Sequence, residues 1–230
     1  MAVCKLKLRN EALVMILFAA VLSAAILKLD PGRSYLVWNI GLALVPYFSS
    51  LLLSKNDTVY YSKILFPIFI LIWLLFYPNA MYMVTDFIHF SLQTFYKASA
   101  DGTSLFGMKV EYMLDLGLWI SFALTVCAVF YGVASGFMSL TRVEKAIFKE
   151  KPAFGRVVFT IIVSILTGFA LYIGRFLRFN SWDLLKDPLA ILSWLKNGLT
   201  MDAIYIILAF AAMHLFITAI LRIASIAHED

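Results

Sequence analysis

Two pairs of residues in this chain have the types and spacing to do chemistry. In "TDFIHF" Asp86 and His89 stand three positions apart, and in "GRFLRF" so do Arg175 and Arg178. On a helix that interval brings two side chains to one face. A carboxylate beside an imidazole can serve as a general base. It can also supply two ligands to one divalent metal ion, with Asp115 or Asp183 completing the shell. Two guanidinium groups one turn apart can clamp a phosphate through paired N–H donors. Each pair also has a plainer reading. Asp86 and an arginine would neutralise each other, and the arginines would lift their charged heads to an interface while pairing with Asp183.

The segments that hold these residues place both pairs at one depth. Tyr82, Asp86, His89 and Gln93 follow a 4, 3, 4 spacing, one stripe of a helix. A continuous helix from Ser62 to Tyr96 would run to about 50 Å, far beyond a hydrocarbon core of about 30 Å. Pro78 lacks a backbone donor and disfavours helix at Tyr77, so a kink is expected near Pro78–Asn79, with a second amphipathic piece after it. Trp38 and Asn39 open a second apolar span, Asp115 a fourth and Asp202 a sixth. Arg175 and Arg178 close the fifth, followed by Asn180 and Asp183. Charges at the edge of lipid face one another or a wet cavity, so Asp86, His89 and at least one arginine are expected to share a pocket. Asp86, His89 and Asp115 are the candidate catalytic groups, and Arg175, Arg178 and Asn180 the candidate anion site. Asn39, Asn79 and Asp183 are expected as structural polar groups, and a divalent metal on Asp86 and His89 is the candidate cofactor.

The surroundings are those of a membrane protein. Of 230 residues, 63% are hydrophobic and only 14% charged, against about 25% charged in soluble domains. Mean hydropathy is +0.90. Six spans are expected, at 11–28, 35–54, 63–84, 115–140, 156–178 and 202–223, each near the roughly 20 residues a crossing needs. The expected fold is all-α: a polytopic membrane helical bundle over residues 1–230, with interfacial helices on the outer side. The start, with Lys5, Lys7 and Arg9 before an apolar run, has signal-peptide features, but the later spans need its orientation and it is read as an uncleaved first span. Cys4 and Cys127 make no disulfide framework. Gly132 and Gly136 mark close helix packing. His214, alone in the middle of the sixth span, is read as neutral and hydrogen-bonded, with a proton relay as the less frequent role of such a residue.

Basic residues divide eleven to eight in favour of a cytoplasmic N-terminus, with five of the eleven in the short 141–156 loop. Six spans then return the C-terminus to the cytoplasm and send 85–114 and 179–201 outward. The second connection is too apolar for a free loop. Trp182, Leu189, Leu192 and Trp194 suit helices lying in the outer interface, with Asn180 or Ser181 as a cap and Pro188 at a helix start. The basic residues are scattered among spans and form no stripe for nucleic acid.

"YPNAMYMVTDFIHF" (77–90), "LVWNIGLALVPYFSSLL" (36–52) and "YIGRFLRFNSWDLLKDP" (172–188) together resemble a bacterial integral-membrane family, the domain-of-unknown-function family numbered thirteen-sixty-one. The match falls on Trp38, Asn39, Pro78, Asn79, Tyr82, Thr85, Asp86, His89, Asp115, Gly174, Arg175, Arg178, Asn180, Ser181, Trp182 and Asp183, and the resemblance covers most of residues 35–225. Met81 departs from the family pattern, where proline is usual. The resemblance implies a multi-pass membrane protein of unassigned chemistry.

No Walker loop, Rossmann fingerprint, Gly-x-Ser-x-Gly or His-Glu-x-x-His is present. The favoured expectation is binding or processing of an anionic lipid-linked headgroup, with membrane lipids as partners. The alternatives are a small-solute or ion transporter, suggested by Pro46, Pro67 and Pro78 within spans, and an assembly partner for another membrane protein. The charge distribution makes sidedness testable. Lys97→Cys and Asn197→Cys should react with an impermeant thiol reagent on intact cells while Lys149→Cys stays protected; the opposite pattern reverses the orientation.

Overall fold

A computed structural model describes residues 2–105, 108–149, 153–179 and 183–226. In chain order they form α1 (Ala2–Leu29), a short 3-10 turn (Pro31–Arg33), α2 (Tyr35–Lys55), α3 (Asp57–Tyr61) and α4 (Leu65–Tyr82). A 3-10 helix (Met83–Phe90) and strands β1 (Tyr96–Leu105) and β2 (Met108–Tyr112) follow. Then come α5 (Leu116–Phe148), α6 (Ala153–Tyr172) with a π-helical turn (Ile173–Leu177), α7 (Asp183–Lys186), α8 (Pro188–Asn197) and α9 (Met201–Ile226). Six of the helical segments are long and apolar enough to cross a membrane. This is a multi-pass membrane protein.

Lipid takes the place of water around these helices. On α1 Leu13, Val14, Ile16, Leu17, Phe18 and Val21 are exposed, while Met15, Ala19 and Ile26 are buried. Such an apolar outer surface is stable only in hydrocarbon. The expected span limits hold within a few residues except for α5, which continues to Phe148. At about 1.5 Å per residue its 33 residues reach about 50 Å. Arg142 and Lys145, expected in a loop, are therefore in its last turns, where basic side chains complement the helix dipole. Beyond it Lys149 takes a left-handed φ of 46°. Its ammonium lies 5.1 Å from the Tyr60 ring centroid, and hydrogen bonding by the Tyr60 hydroxyl raises its pKa above the ordinary lysine value.

The prolines break less than their chemistry predicts. Pro46 and Pro78 sit inside α2 and α4 without ending them, and Pro67 lies in the first turn of α4, where its missing donor costs nothing. Neighbouring helices and side-chain groups hold such a helix together in a membrane. The expected interruption comes instead after Tyr82, about one turn beyond Pro78, where α-helix gives way to the 3-10 helix of residues 83–90. That change also corrects the predicted stripe. With three residues per turn, Met83, Asp86 and His89 are in line, whereas Tyr82 belongs to α4 and Gln93 lies exposed past the end of the helix. The 85–114 connection holds a β-hairpin that helical periodicity did not foresee. Its antiparallel register shifts between Ala98 and Thr103, the stretch that contains Asp101 and Gly102.

The described residues group into two compact units. One comprises 1–41 and 83–131, the other 42–82 and 132–230. In the first, the Tyr131 hydroxyl donates to the Met15 carbonyl at 3.1 Å, tying α5 to α1. Phe90, Phe95, Trp119 and Phe122 make an aromatic cluster with ring centroids 5.4 to 6.2 Å apart.

In the second unit, Trp73 and Tyr77 of α4 pack with Leu140 and Val143 of α5 and Val163 of α6. Gly136 gives the close packing expected of it: a β-carbon there would lie 3.2 Å from that of Ala80. α8 begins at Pro188 as expected, and Trp194 packs on Tyr172 at 5.3 Å between centroids.

The tightest approach is between α6 and α9. A β-carbon at Gly168 would stand 2.4 Å from the Ile207 carbonyl oxygen and 2.7 Å from the Ala211 nitrogen. Those are backbone atoms, which cannot yield without moving the helix. Gly→Ala inside a helix ordinarily stabilises by about 1 kcal/mol. Gly168→Ala should reverse that sign and destabilise by about 1–3 kcal/mol, measured by denaturant titration in detergent micelles.

Candidate functional site

In the first unit the site is built around a buried carboxylate. The 3-10 helix turns Asp86 inward until 1% of it is exposed. A charge so placed must be held by polar partners. Asn39 of α2 donates through Nδ2 to Asp86 Oδ2 at 3.0 Å. His89 places Nε2 3.8 Å from Oδ1, an ion-pair distance once the ring is protonated and too long for a hydrogen bond. The imidazole is half exposed and leans on Tyr35, with ring centroids 5.2 Å apart. A half-solvated imidazole beside a buried carboxylate can accept a proton and be stabilised as the cation by its neighbour.

Arg33, which sequence reasoning passed over, belongs to this neighbourhood. Its Nε lies 3.1 Å from Asp30 Oδ2, and its guanidinium sits 3.9 Å over the Phe90 ring, pinning the end of the 3-10 helix. The signal available for it was "DPGR", a turn just past the first span. Asp115 is exposed and caps α5, its Oδ1 accepting from the Leu118 N–H at 3.1 Å. Among the described residues no three of His, Cys, Asp and Glu come together as a metal shell. Asp86 and His89 alone supply two ligands, short of the four of a structural site.

The arginines lie in the second unit, at the end of α6. Arg175 stacks its guanidinium 4.4 Å over the Tyr82 ring, and the Tyr82 hydroxyl donates to the Gly174 carbonyl at 3.4 Å. Glycine leaves room for that ring, since a β-carbon at 174 would stand 3.0 Å from it. The helix ends in a π turn, and single π turns recur at functional sites. The Arg178 N–H closes that turn on the Ile173 carbonyl. Arg178 itself is exposed and left-handed, with φ 59° and ψ 29°. Asn79 donates to the Phe76 carbonyl of its own helix at 3.1 Å, and half-buried Asp183 opens α7. Asn180, Ser181 and Trp182 lie outside the described residues.

The second unit also contains a buried polar seam that the sequence only hinted at. His214, fully buried, has Nε2 2.7 Å from the Tyr77 hydroxyl and Nδ1 2.7 Å from the Ser164 hydroxyl. Trp73 donates to the Ser139 hydroxyl at 3.2 Å. Glu144 of α5, 3% exposed, accepts from the Thr160 hydroxyl at 2.6 Å and pairs with Arg222 of α9. Glu144 went unnoticed because the fourth span was expected to stop at 140. Ser135, Ser139 and Val143 continue one buried face past that limit, and Glu144 lies beside Val143 at its end.

A family model described as protein of unknown function (DUF1361) matches residues 38–217. The chain belongs to this family. The DUF1361 region takes in every motif residue quoted above, from Trp38 to Asp183, and His214 as well. Arg33 and Arg222 fall outside it. No curated protein and no solved structure matches the chain.

The Asn39–Asp86 bond can be tested alone. Asn39→Ala removes a donor from a buried carboxylate and should lower stability by about 1–3 kcal/mol. Thermal unfolding in detergent, followed by circular dichroism, would measure it.

Proposed function

We propose that this DUF1361 protein binds an anionic headgroup carried on a lipid, with Arg175 and Arg178 as the clamp. The observation that carries the reading is the backbone of Arg178. A side chain in the left-handed region costs about 1–2 kcal/mol relative to glycine, the residue that usually ends a helix this way. An exposed arginine gains nothing in packing to offset that cost, and strained backbone is concentrated where function requires it. Stacking on Tyr82 supports the same reading, because a ring under the guanidinium face orients the in-plane N–H groups that make bidentate contacts with phosphate oxygens. The position, at the end of a membrane-spanning helix, is where lipid headgroups are found.

In this reading the headgroup lies on the extracytoplasmic side and both termini are cytoplasmic, an orientation supported by the basic residues around the α5–α6 junction. His89, half exposed beside the buried Asp86, is the residue suited to accept a proton if binding leads to turnover.

Arg178→Gly separates function from structure. It should relieve the backbone and raise stability by about 1 kcal/mol. It should also weaken binding to phosphatidic acid or a polyprenyl phosphate in nanodiscs by about tenfold, equivalent to about 1.4 kcal/mol. Native mass spectrometry of the bound lipid reads the second quantity and thermal unfolding the first. A variant that is stabilised and binds as tightly as the parent would refute the clamp.

A further inference from the structure

Arg178 has a counterpart at the opposite end of α6. Among the described residues, Lys149 and Arg178 are the two non-glycine positions with a left-handed backbone. Each is a basic residue just past the end of a long apolar helix. Lys149 follows α5 directly, with φ 46° and its N–H 3.0 Å from the Lys145 carbonyl oxygen. Glycine ordinarily closes a helix in this way, because a β-carbon is costly there. Lys149 is exposed, so packing does not offset that cost, and strained backbone gathers at functional positions.

Both the backbone and the side chain of Lys149 are held. Its carbonyl accepts from a guanidinium N–H of Arg156, in the first turn of α6. Its ammonium donates to the Tyr60 hydroxyl, which gives its own hydrogen to the Ala146 carbonyl at 3.4 Å and so faces the lysine as an acceptor. These contacts bring two full positive charges together. Neither Lys149 nor Arg156 has a carboxylate partner among the described residues, and Glu144 is already paired with Arg222. Like charges so placed repel unless an anion comes between them. An ammonium has three N–H donors and a guanidinium five, so both groups have donors to spare.

The surface beside the pair is apolar. Phe154 is 77% exposed and Tyr61 75%, and from Phe154 the exposed face continues along α6 through Val157, Ile161 and Ile165. An anion held at the start of that face lies where the phosphates of a leaflet meet its hydrocarbon.

We propose that Lys149 and Arg156 bind a phosphate, carried by an anionic phospholipid, at the end of α6 opposite Arg175 and Arg178. The ammonium supplies a point charge and the guanidinium directional N–H donors. The apolar face that starts at Phe154 receives the acyl chains. The site shares no residue with the Arg175–Arg178 reading and stands or falls without it.

Native mass spectrometry of the full-length protein in phosphatidylcholine nanodiscs, titrated with phosphatidylglycerol, counts bound anionic lipids and their affinities. Lys149→Asn removes the ammonium and keeps a residue that accepts the left-handed backbone. It should weaken one bound phosphatidylglycerol by about five- to tenfold, as should Arg156→Gln, while Lys149→Arg binds as the parent does. Lys145→Gln removes an exposed charge one turn back on α5 that is no part of the pair. Equal weakening by this substitution would make the attraction one of diffuse surface charge and overturn the site. Unchanged binding in a folded Lys149→Asn protein overturns it as well. Inorganic phosphate, titrated in parallel, separates the sources. Lipid that stays bound supports the phospholipid; phosphate that displaces it, with the same sensitivity to Lys149→Asn, supports the phosphate site and overturns its lipid source.

Discussion

The hydrogen bonds on either side of His214 are the constraint around which the second unit is arranged. In hydrocarbon no water is available to satisfy a polar group, so an imidazole in the middle of a span must find partners on other helices. It finds one on α4 and one on α6. Each restricts the rotation of its helix about its own axis, because a turn of a few tens of degrees would withdraw the hydroxyl. Apolar packing between lipid-bathed helices is permissive about such rotations, since leucine is as comfortable against lipid as against protein. The polar seam supplies the register that hydrophobic contact alone would leave loose.

The first unit uses the same principle at a single point. Asp86 is buried on a 3-10 helix, and its carboxylate reaches the amide of Asn39 across forty-seven residues of sequence. His89 in turn rests on the Tyr35 ring of α2, so both residues take their place from a helix they do not belong to. Arg33 over Phe90 and the aromatic cluster beneath hold the other end of the 3-10 helix. The segment is thus fixed at both ends by side chains from other elements, which suits a helix type whose own hydrogen bonds are weaker than those of an α-helix.

Much of this was legible in the residues. Six crossings follow from apolar length alone, and the family motifs drew attention to Asp86, His89, Arg175 and Arg178. What escaped had physical reasons. A change from α to 3-10 periodicity after Tyr82 depends on how the segment packs, and no residue between 77 and 90 announces it. The hairpin after residue 95 is short, and its strands pair with each other only after the chain has turned. Glu144 was hidden by a span boundary drawn from hydropathy. A helix ends where its backbone is capped, not where its apolar run stops, and an acid in the last turns of α5 is buried as readily as a valine when an arginine arrives from α9. Asp115 reads differently for a similar reason: an aspartate before a span has chemistry to offer, but a helix N-terminus has prior use for it.

The missing side chain at Gly168 has a mechanical meaning. With α6 resting directly on the carbonyl and amide groups of α9, the two helices have no cushion of side chains to shear across at that level. They form a stiff double beam. α4 meets this beam through the rings of Trp73 and Tyr77, and the Tyr77 hydroxyl, bonded to His214, fixes where α4 stands along it. Sliding α4 along the beam would first have to break that buried bond, so the three helices move as one body while it holds.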